Sequence, residues 1–166
     1  MSADMDKKFR PRPYAVNDKS WVHGLNTVHE VELSPLTEDG LHSLMAGATY
    51  SAVVDDKAAF IAAFDQDAVY ESPNFQWFRQ TLPRFVYVDR IAVDKNHHGQ
   101  GIARQLYEDL FDYARANGHD KVVCEVNAIP PNPGSDAFHA AKGFTQIGAA
   151  ELPERGKSVS YLCKTL

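Results

Sequence analysis

A glycine-rich turn between a strongly apolar segment and an amphipathic one is the first part of the chain whose residues can do chemistry. It reads His98-Gly99-Gln100-Gly101-Ile102-Ala103-Arg104. A turn of this kind at the start of a helix exposes backbone N–H groups at the positive end of the helix dipole, and such groups bind phosphate or pyrophosphate. Glycine matters at both positions because a Cβ would keep the phosphate away from the backbone. The pattern therefore indicates a phosphate-binding loop.

Two common nucleotide motifs do not fit this loop. A Walker loop has Gly-Lys-Ser/Thr at the start of its helix, where this chain has Gly101-Ile102-Ala103. A dinucleotide fingerprint has a third Gly or Ala at the position that Arg104 occupies. The loop by itself leaves the ligand open, and incidental glycines at a helix start are the alternative.

A second segment further along the chain accompanies the loop, and it reads NPGSDAFHAAKGF over residues 132–144. The loop resembles the pyrophosphate loop of the GNAT acetyltransferase superfamily, Arg/Gln-x-x-Gly-x-Gly/Ala, with His98 at the usual Arg or Gln position. The second segment resembles the Asn-x-x-Ala-x-x-Leu/Phe-Tyr-x-x-x-Gly-Phe element of the same family. The positions that match this element are Asn132, Phe138, Gly143 and Phe144. The resemblance covers residues 84–144.

The resemblance implies acetyl-CoA as the cofactor. It implies that two central parallel strands splay apart and that the pantetheine arm pairs with the backbone of Ile91, Ala92 and Val93. The pyrophosphate is then expected on residues 98–104, with Asn132 and Phe138 as further cofactor contacts. An amine is expected to attack the thioester directly, while a backbone N–H near Val93 holds the oxyanion.

This chemistry requires a base for the acceptor ammonium. Glu125 lies in Cys124-Glu125-Val126-Asn127, a segment similar to the Glu-Val segment of the ribosomal-protein alanine acetyltransferases, where the glutamate is a base. Asp89, on the strand before the loop, is the second candidate. The alternatives are a structural role for Glu125 and a salt bridge of Asp89 with its neighbour Arg90.

The reaction also benefits from an acid that protonates the departing thiolate. Members of the family usually place a Tyr at the position that His139 occupies here. An imidazole can donate a proton near neutral pH, so the resemblance predicts His139 as the acid. The alternative is that His139 only packs beside the cofactor.

An aromatic segment over residues 72–82 is the candidate wall of the acceptor site. Ser72 and Pro73 predict the start of a short helix. Tyr70 and Trp77 are predicted to contact the acceptor amine by cation–π interaction, and Asn26 is the third predicted substrate contact. The alternative is that the aromatic residues, Phe75 and Phe78 above all, fill the core or a dimer seam.

Hydrophobic patterning predicts the elements that position these groups. The chain is expected to form a mixed α/β, GNAT-like domain with about seven strands in the order β-α-α-β-β-β-α-β-α-β-β. The strands are expected at residues 21–25, 49–54, 58–64, 84–93, 121–127, 145–149 and 158–164. Helices are expected after Asn26 and after Thr37, each of which is the predicted N-cap, over 101–117 and over 135–142. Residues 158–164 alternate as an edge strand does, which favours a homodimer.

The composition of the chain indicates a globular protein. The chain has 166 residues, of which 44% are hydrophobic and 23% charged, and this predicts one globular domain over 14–166 after a flexible arm, 1–13. No apolar run reaches the length of a membrane span, and the net charge of −5 argues against nucleic acid. Only two cysteines and no export signal predict a reduced, cytoplasmic protein. The spacing of the histidines predicts no metal site.

Two functions from different classes remain open on the sequence. The first is an acetyl-CoA-dependent N-acetyltransferase, in which Glu125 and His139 accompany an intact glycine loop. The second is a catalytically silent acyl-CoA-binding module, because histidines replace both the usual loop Arg/Gln and the usual Tyr.

Overall fold

A computed structural model describes residues 9–166, which form seven strands and five α-helices. The strands are β1 (Arg12–Pro13), β2 (Tyr50–Val54), β3 (Ala59–Asp65), β4 (Val86–Val93), β5 (Lys121–Ile129), β6 (Thr145–Leu152) and β7 (Lys157–Thr165). The helices are α1 (Lys19–Val28), α2 (Glu38–Gly47), α3 (Pro73–Thr81), α4 (Ile102–Ala116) and α5 (Pro133–Ala141). Over residues 9–166, no helix is long and apolar enough to cross a membrane.

The strands follow the order β1-β2-β3-β4-β5-β7-β6. Only β4 and β5 pair in parallel, among the strands whose register is described, and they do so through Val86 with Val122 and Tyr87 with Val123. The other described pairs, β1 with β2, β2 with β3, β5 with β7 and β6 with β7, are antiparallel. The predicted mixed α/β class and the seven strands are confirmed.

The chain divides into two compact units. The first contains the described residues up to 64 together with 88–113, and the second contains 65–87 and 114–166. In the first unit, the apolar faces of α1 and α2 form a core with β2 and β3. Val22, Leu41, Met45, Val53 and Phe60 are buried in it. Thr37 caps α2 as predicted, because its Oγ1 accepts from the Gly40 N–H at 3.0 Å.

In the second unit, β7 lies between β5 and β6, where it pairs along its length with both. The prediction that residues 158–164 form an edge strand is therefore wrong. Alternation is typical of any strand whose two faces differ in burial, so it does not distinguish an edge from an interior position. The alternation consequently gives no argument for a homodimer.

The predicted first strand at residues 21–25 is also wrong, because these residues lie inside α1. Val22, Leu25 and Asn26 are buried on one side of that helix, at the i, i+3, i+4 spacing of a helical face. A short apolar run is compatible with either structure, and tertiary packing decides between them. Asn26 is a buried residue within the helix and does not cap it.

Only part of the predicted flexible arm can be compared with the structure, since residues 1–8 lie outside the described part of the chain. Within the described part, Arg12 and Pro13 pair with Val53 and Ala52 as strand β1. Phe9 is buried, with 5% of its surface exposed. Residues 9–13 therefore belong to the folded domain, and its start at residue 14 was predicted too late.

Gly148 on β6 gives a test of packing in the second unit. A Cβ at this position would lie 2.4 Å from an atom of the Trp77 ring, which is stacked on Tyr161 and cannot move freely. We expect Gly148→Ala to lower the free energy of unfolding by about 1–3 kcal/mol through overpacking. Urea denaturation measures this change.

The matched control is Gly24→Ala in α1, where a Cβ meets no heavy atom within 4 Å. This variant should be stabilised by about 0.5–1 kcal/mol because alanine is the better helix former. Equal effects of the two substitutions would contradict the packing argument.

Candidate active site

The glycine loop lies between β4 and α4, after a short turn, Lys95–His97. Gly99 and Gly101 have φ angles of 78° and 76°, a left-handed conformation that only glycine adopts without strain. The helix begins at Ile102, and the Gln105 N–H donates to the Gly101 carbonyl at 3.0 Å. The loop therefore needs its glycines for conformation, in addition to the close approach inferred from the sequence.

The shape of the loop fits a phosphate ligand. A Cβ at Gly99 would meet no heavy atom within 4 Å, so the backbone there is open to approach. The first turn of α4 presents N–H groups that have no acceptor within the helix, at the positive end of its dipole. Together these features form a cradle for an anion.

His98, the departure from the usual loop pattern, folds back onto the end of β4. Its Nε2–H donates to the Val93 carbonyl at 3.0 Å, and the side chain is exposed. In the neutral ring this bond leaves Nδ1 as an acceptor, so Nδ1 can donate to a phosphate oxygen only when the imidazole is protonated. The predicted contact of His98 with the cofactor stays a prediction.

The turn between β4 and the loop is held at both ends. The Asp94 N–H donates to the Ala58 carbonyl at 2.7 Å. The Asp94 carboxylate accepts from His97 Nδ1 at 3.0 Å, and this hydrogen bond lowers the pKa of Asp94. The buried Phe9 ring lies nearly perpendicular to the His97 ring, with 6.4 Å between the ring centroids. The loop therefore starts from a fixed position.

Asp89 and Asn26 both bind the buried side chain of Arg90 in the first unit. The Asp89 side chain is 5% exposed and accepts from Arg90 Nε at 2.7 Å, which is the salt bridge weighed as the alternative to a catalytic role. Arg90 Nη1 also donates to Asn26 Oδ1 at 2.9 Å, and its two terminal nitrogens donate to the carbonyl and the hydroxyl of Ser34. These contacts oppose the predicted roles of Asp89 as a base and Asn26 as a substrate contact.

Glu125, the predicted base, lies in the second unit on β5. Its side chain is half-buried, and its Oε2 accepts from the Tyr87 hydroxyl at 2.8 Å. Tyr161 is the direct partner of Glu125 on the antiparallel strand β7. Burial raises the pKa of Tyr161, and the nearby charge of Glu125 raises it further. Glu125 is thus a half-exposed carboxylate with a tyrosine hydroxyl bonded to it.

The aromatic segment mainly fills the core of the second unit. Phe75 and Phe78 are fully buried, as the alternative predicted. Trp77 stacks on Tyr161 with 4.2 Å between the ring centroids, and Tyr70 packs edge-on against Phe75 at 5.5 Å. Ring faces used in this way contribute to packing, and the predicted substrate contacts of Tyr70 and Trp77 stay predictions.

His139 is buried in the second unit, with 7% of its surface exposed. Its Nδ1–H donates to the Ser135 carbonyl one turn earlier at 2.7 Å, and the rings of Phe138 and Phe144 contact it edge-on. Burial lowers the pKa of His139 below its ordinary 6.5. The imidazole is therefore neutral at neutral pH, which opposes its predicted role as the acid.

The remaining predicted positions in the second unit have local explanations. Asn132, a predicted cofactor contact, is the N-cap of α5, where its Oδ1 accepts from the Ser135 N–H at 3.2 Å. Cys124 and Cys163 are buried and form no disulfide with each other, and burial raises the pKa of the Cys163 thiol. Within residues 9–166, no group of three His, Cys, Asp or Glu side chains is arranged to hold a metal ion.

Residues 19–144 match the Acetyltransferase (GNAT) family, and this range is more than half of the chain. The chain belongs to the GNAT acetyltransferase family. The match includes the strand β4, the glycine loop and the start of α4, so the resemblance inferred from the sequence is confirmed.

The match to an individual curated protein covers only part of the chain. A segment of 58 residues is 34% identical to the mouse (Mus musculus) probable N-acetyltransferase family 8 member 5, and it covers 35% of this chain and 25% of that protein. The matched part thus spans a quarter of the length of the curated relative.

Solved structures share the fold over nearly the whole chain. The ribosomal-protein-S18-alanine N-acetyltransferase from Escherichia coli has a TM-score of 0.67 at 16% identity, covering 93% of this chain and 92% of its own. The structure of yncA from Salmonella typhimurium with its cofactor acetyl-CoA has a TM-score of 0.69 at 18% identity, covering 95% and 94%.

Sequence reasoning missed the tyrosines beside Glu125. Tyr87 lies on the strand predicted best, and Tyr161 lies within the predicted last strand. Their proximity to Glu125 depends on the register of β4 and β7 against β5, which hydrophobic alternation along single strands does not specify.

The burial of His139 predicts how stability depends on pH. Between its lowered pKa and 6.5, the unfolded chain takes up a proton that the folded chain does not, so the free energy of unfolding falls as the pH falls. We expect His139→Phe to remove this contribution. The free energy of unfolding of the variant minus that of the parent should therefore increase as the pH falls from 7.5 to 5. Urea denaturation at each pH measures this difference.

Above pH 7 the same difference should be constant, which serves as the internal control. A difference that does not change across the whole range would show that His139 protonates equally well in the folded protein.

Proposed function

We propose that the protein transfers an acetyl group from acetyl-CoA to a primary amine. The observation that supports this most directly is the left-handed glycine loop at the N-terminus of α4, in a chain that belongs to the GNAT family. The acceptor class, a small amine or an amine of a peptide or protein, comes from the resemblance.

The residues of the first unit would hold the cofactor. We assign the pyrophosphate to the loop, residues 98–104, and the pantetheine arm to the backbone of Ile91, Ala92 and Val93. Bound acetyl-CoA supplies a thioester whose carbonyl carbon an amine attacks, so that the N–C bond forms as the C–S bond breaks. A backbone N–H near Val93 is the proposed donor to the oxygen that becomes negative.

Glu125 is the proposed general base that takes the proton from the acceptor nitrogen. It is half-exposed, whereas the side chain of Asp89 is buried in its ion pair with Arg90. An acidic net charge of −5 is also compatible with a cationic acceptor. These facts favour Glu125 over Asp89 for the base.

His139 is assigned a packing role in this proposal. A neutral imidazole whose Nδ1–H is bonded to Ser135 has no readily released proton near pH 7. The thiol product then takes its proton from solvent. A homodimer and a cytoplasmic location remain predictions from the sequence.

The cofactor assignment predicts the effect of Gly101→Val. Valine is strained at a φ of 76° and covers the backbone that the phosphate approaches. CoA should raise the Tm of the parent in a thermal-unfolding experiment and should leave the Tm of the variant unchanged.

The matched control is Gly156→Val, because Gly156 also has a left-handed φ, of 62°, but belongs to the turn before β7. It should carry similar backbone strain and keep the CoA-dependent rise in Tm. A folded Gly101→Val protein that CoA stabilises as well as it does the parent would contradict the loop assignment.

The base assignment predicts that Glu125→Gln lowers kcat/KM by about 10²-fold, the low end of what a positioned base contributes, with CoA affinity unchanged. Release of free thiol from acetyl-CoA with a panel of amines measures the rate. Glu154→Gln, at an exposed position of the second unit, is the control and should keep the parent rate. Tight CoA binding by the parent without turnover on any amine or peptide would favour the silent acyl-CoA-binding module.

A further inference from the structure

Tyr87 is a fully buried tyrosine whose hydroxyl is bonded to a carboxylate. None of its surface is exposed, and its hydroxyl donates to Glu125 Oε2 at 2.8 Å. Tyr87 pairs with Val123 across the two parallel strands, and Glu125 lies two residues further along β5. Positions two apart on a strand point to the same face, so the register itself brings the hydroxyl and the carboxylate together.

The ring of Tyr87 is fixed by its neighbours in the second unit. Phe75 and Phe78 contact it with 5.8 and 5.6 Å between the ring centroids. A ring held in this way cannot swing its hydroxyl away from Glu125. The donor is therefore in place before any ligand arrives, which is the condition for preorganisation.

A comparison with Tyr161 separates this arrangement from ordinary packing. Tyr161 is equally buried, at 1% exposed, and it also belongs to the aromatic core. Its hydroxyl donates to the neutral amide oxygen of Asn74 at 2.8 Å. A buried tyrosine hydroxyl needs some acceptor, and a neutral side chain satisfies Tyr161. At Tyr87 the acceptor is the half-exposed carboxylate of Glu125.

We propose that Tyr87 is a positioning residue for Glu125, whose carboxylate it holds in one orientation and in the ionised form. The inference rests on the proposed function, in which Glu125 is the base. Tyr87 itself is too deeply buried to touch a substrate. It acts on the reaction only through Glu125.

The effect of the Tyr87 hydrogen bond on Glu125 depends on whether the bond stabilises the ionised or the protonated carboxyl group. A hydroxyl that donates to a carboxylate favours the charged form, and such a bond is stronger than one between neutral groups. The titratable groups that face Glu125 from the neighbouring strands include Tyr87 on β4 and Tyr161 on β7. Tyr87 acts on the carboxylate through its hydroxyl dipole, and burial raises the pKa of Tyr161. Removing the Tyr87 hydroxyl should therefore make Glu125 harder to ionise.

The experiment compares Tyr87→Phe with Tyr161→Phe. Each variant removes one buried hydroxyl from the same aromatic core, but only the first removes the bond to Glu125. We expect the acid limb of the kcat/KM profile to move to higher pH by about one unit in Tyr87→Phe and to stay in place in Tyr161→Phe.

A second readout needs no turnover and no cofactor. The side-chain carboxyl carbon of Glu125, assigned with Glu125→Gln, can be titrated by NMR in the free protein. Its midpoint should rise by about one pH unit in Tyr87→Phe and not in Tyr161→Phe. An unchanged midpoint in the folded Tyr87→Phe protein would overturn the inference.

The two readouts also separate this inference from the proposed function. Full activity of Glu125→Gln removes Glu125 as the base, whereas the NMR midpoint still reports whether Tyr87 controls its ionisation. Should Tyr87→Phe not fold, Tyr87→3-fluorotyrosine keeps the ring and makes the hydroxyl a stronger donor. The midpoint of Glu125 should then fall, and a midpoint that stays at the parent value would overturn the inference.

Discussion

The burial of a charged side chain on β4 is the constraint on which the first unit depends. Only 3% of the Arg90 side chain is exposed, and an unpaired charge at such a site would cost several kcal/mol. Asp89 supplies the opposite charge, while Asn26 and Ser34 accept the remaining described hydrogen bonds of the guanidinium. The need to satisfy one cation therefore fixes α1 and the segment after it against the strand.

This constraint also explains how β4 is divided between packing and binding. Val88, Arg90 and Ala92 are buried, whereas Ile91 and Val93 are partly accessible. Because successive side chains of a strand point to opposite faces, anchoring Arg90 sets the orientation of the whole strand end. The glycine loop then starts from a strand that cannot rotate, and its backbone N–H groups keep one direction.

The parts of the molecule that sequence predicted well are those encoded by neighbouring residues. The glycine loop, the cap at Thr37 and the long helix α4 each depend on residues within a few positions of one another. The strand predicted at residues 21–25 failed because five residues are too few to separate a period of 2 from one of 3.6. Which residues meet across neighbouring strands could not be predicted from local sequence. The bond between Tyr87 and Glu125 joins positions 38 residues apart, and only the register of the sheet places them together.

Burial also affects how readily His139 and Glu125 carry a charge, and local sequence does not specify burial. His139 occupies a position that the family resemblance predicts for an acid, and its imidazole is chemically capable of that role. Enclosed by Phe138, Phe144 and its own helix, however, it loses the solvent that would stabilise its charged form. Glu125 is only half-buried and keeps a hydroxyl donor aimed at its carboxylate, which favours the charged form. The same fold thus disfavours the charged form of the histidine, and it gives the glutamate a hydroxyl donor. In the proposed reaction an ionised carboxylate accepts the proton of the acceptor ammonium, while a buried neutral imidazole is a poor proton donor, so the two environments fit the proposed base catalysis without a protein acid.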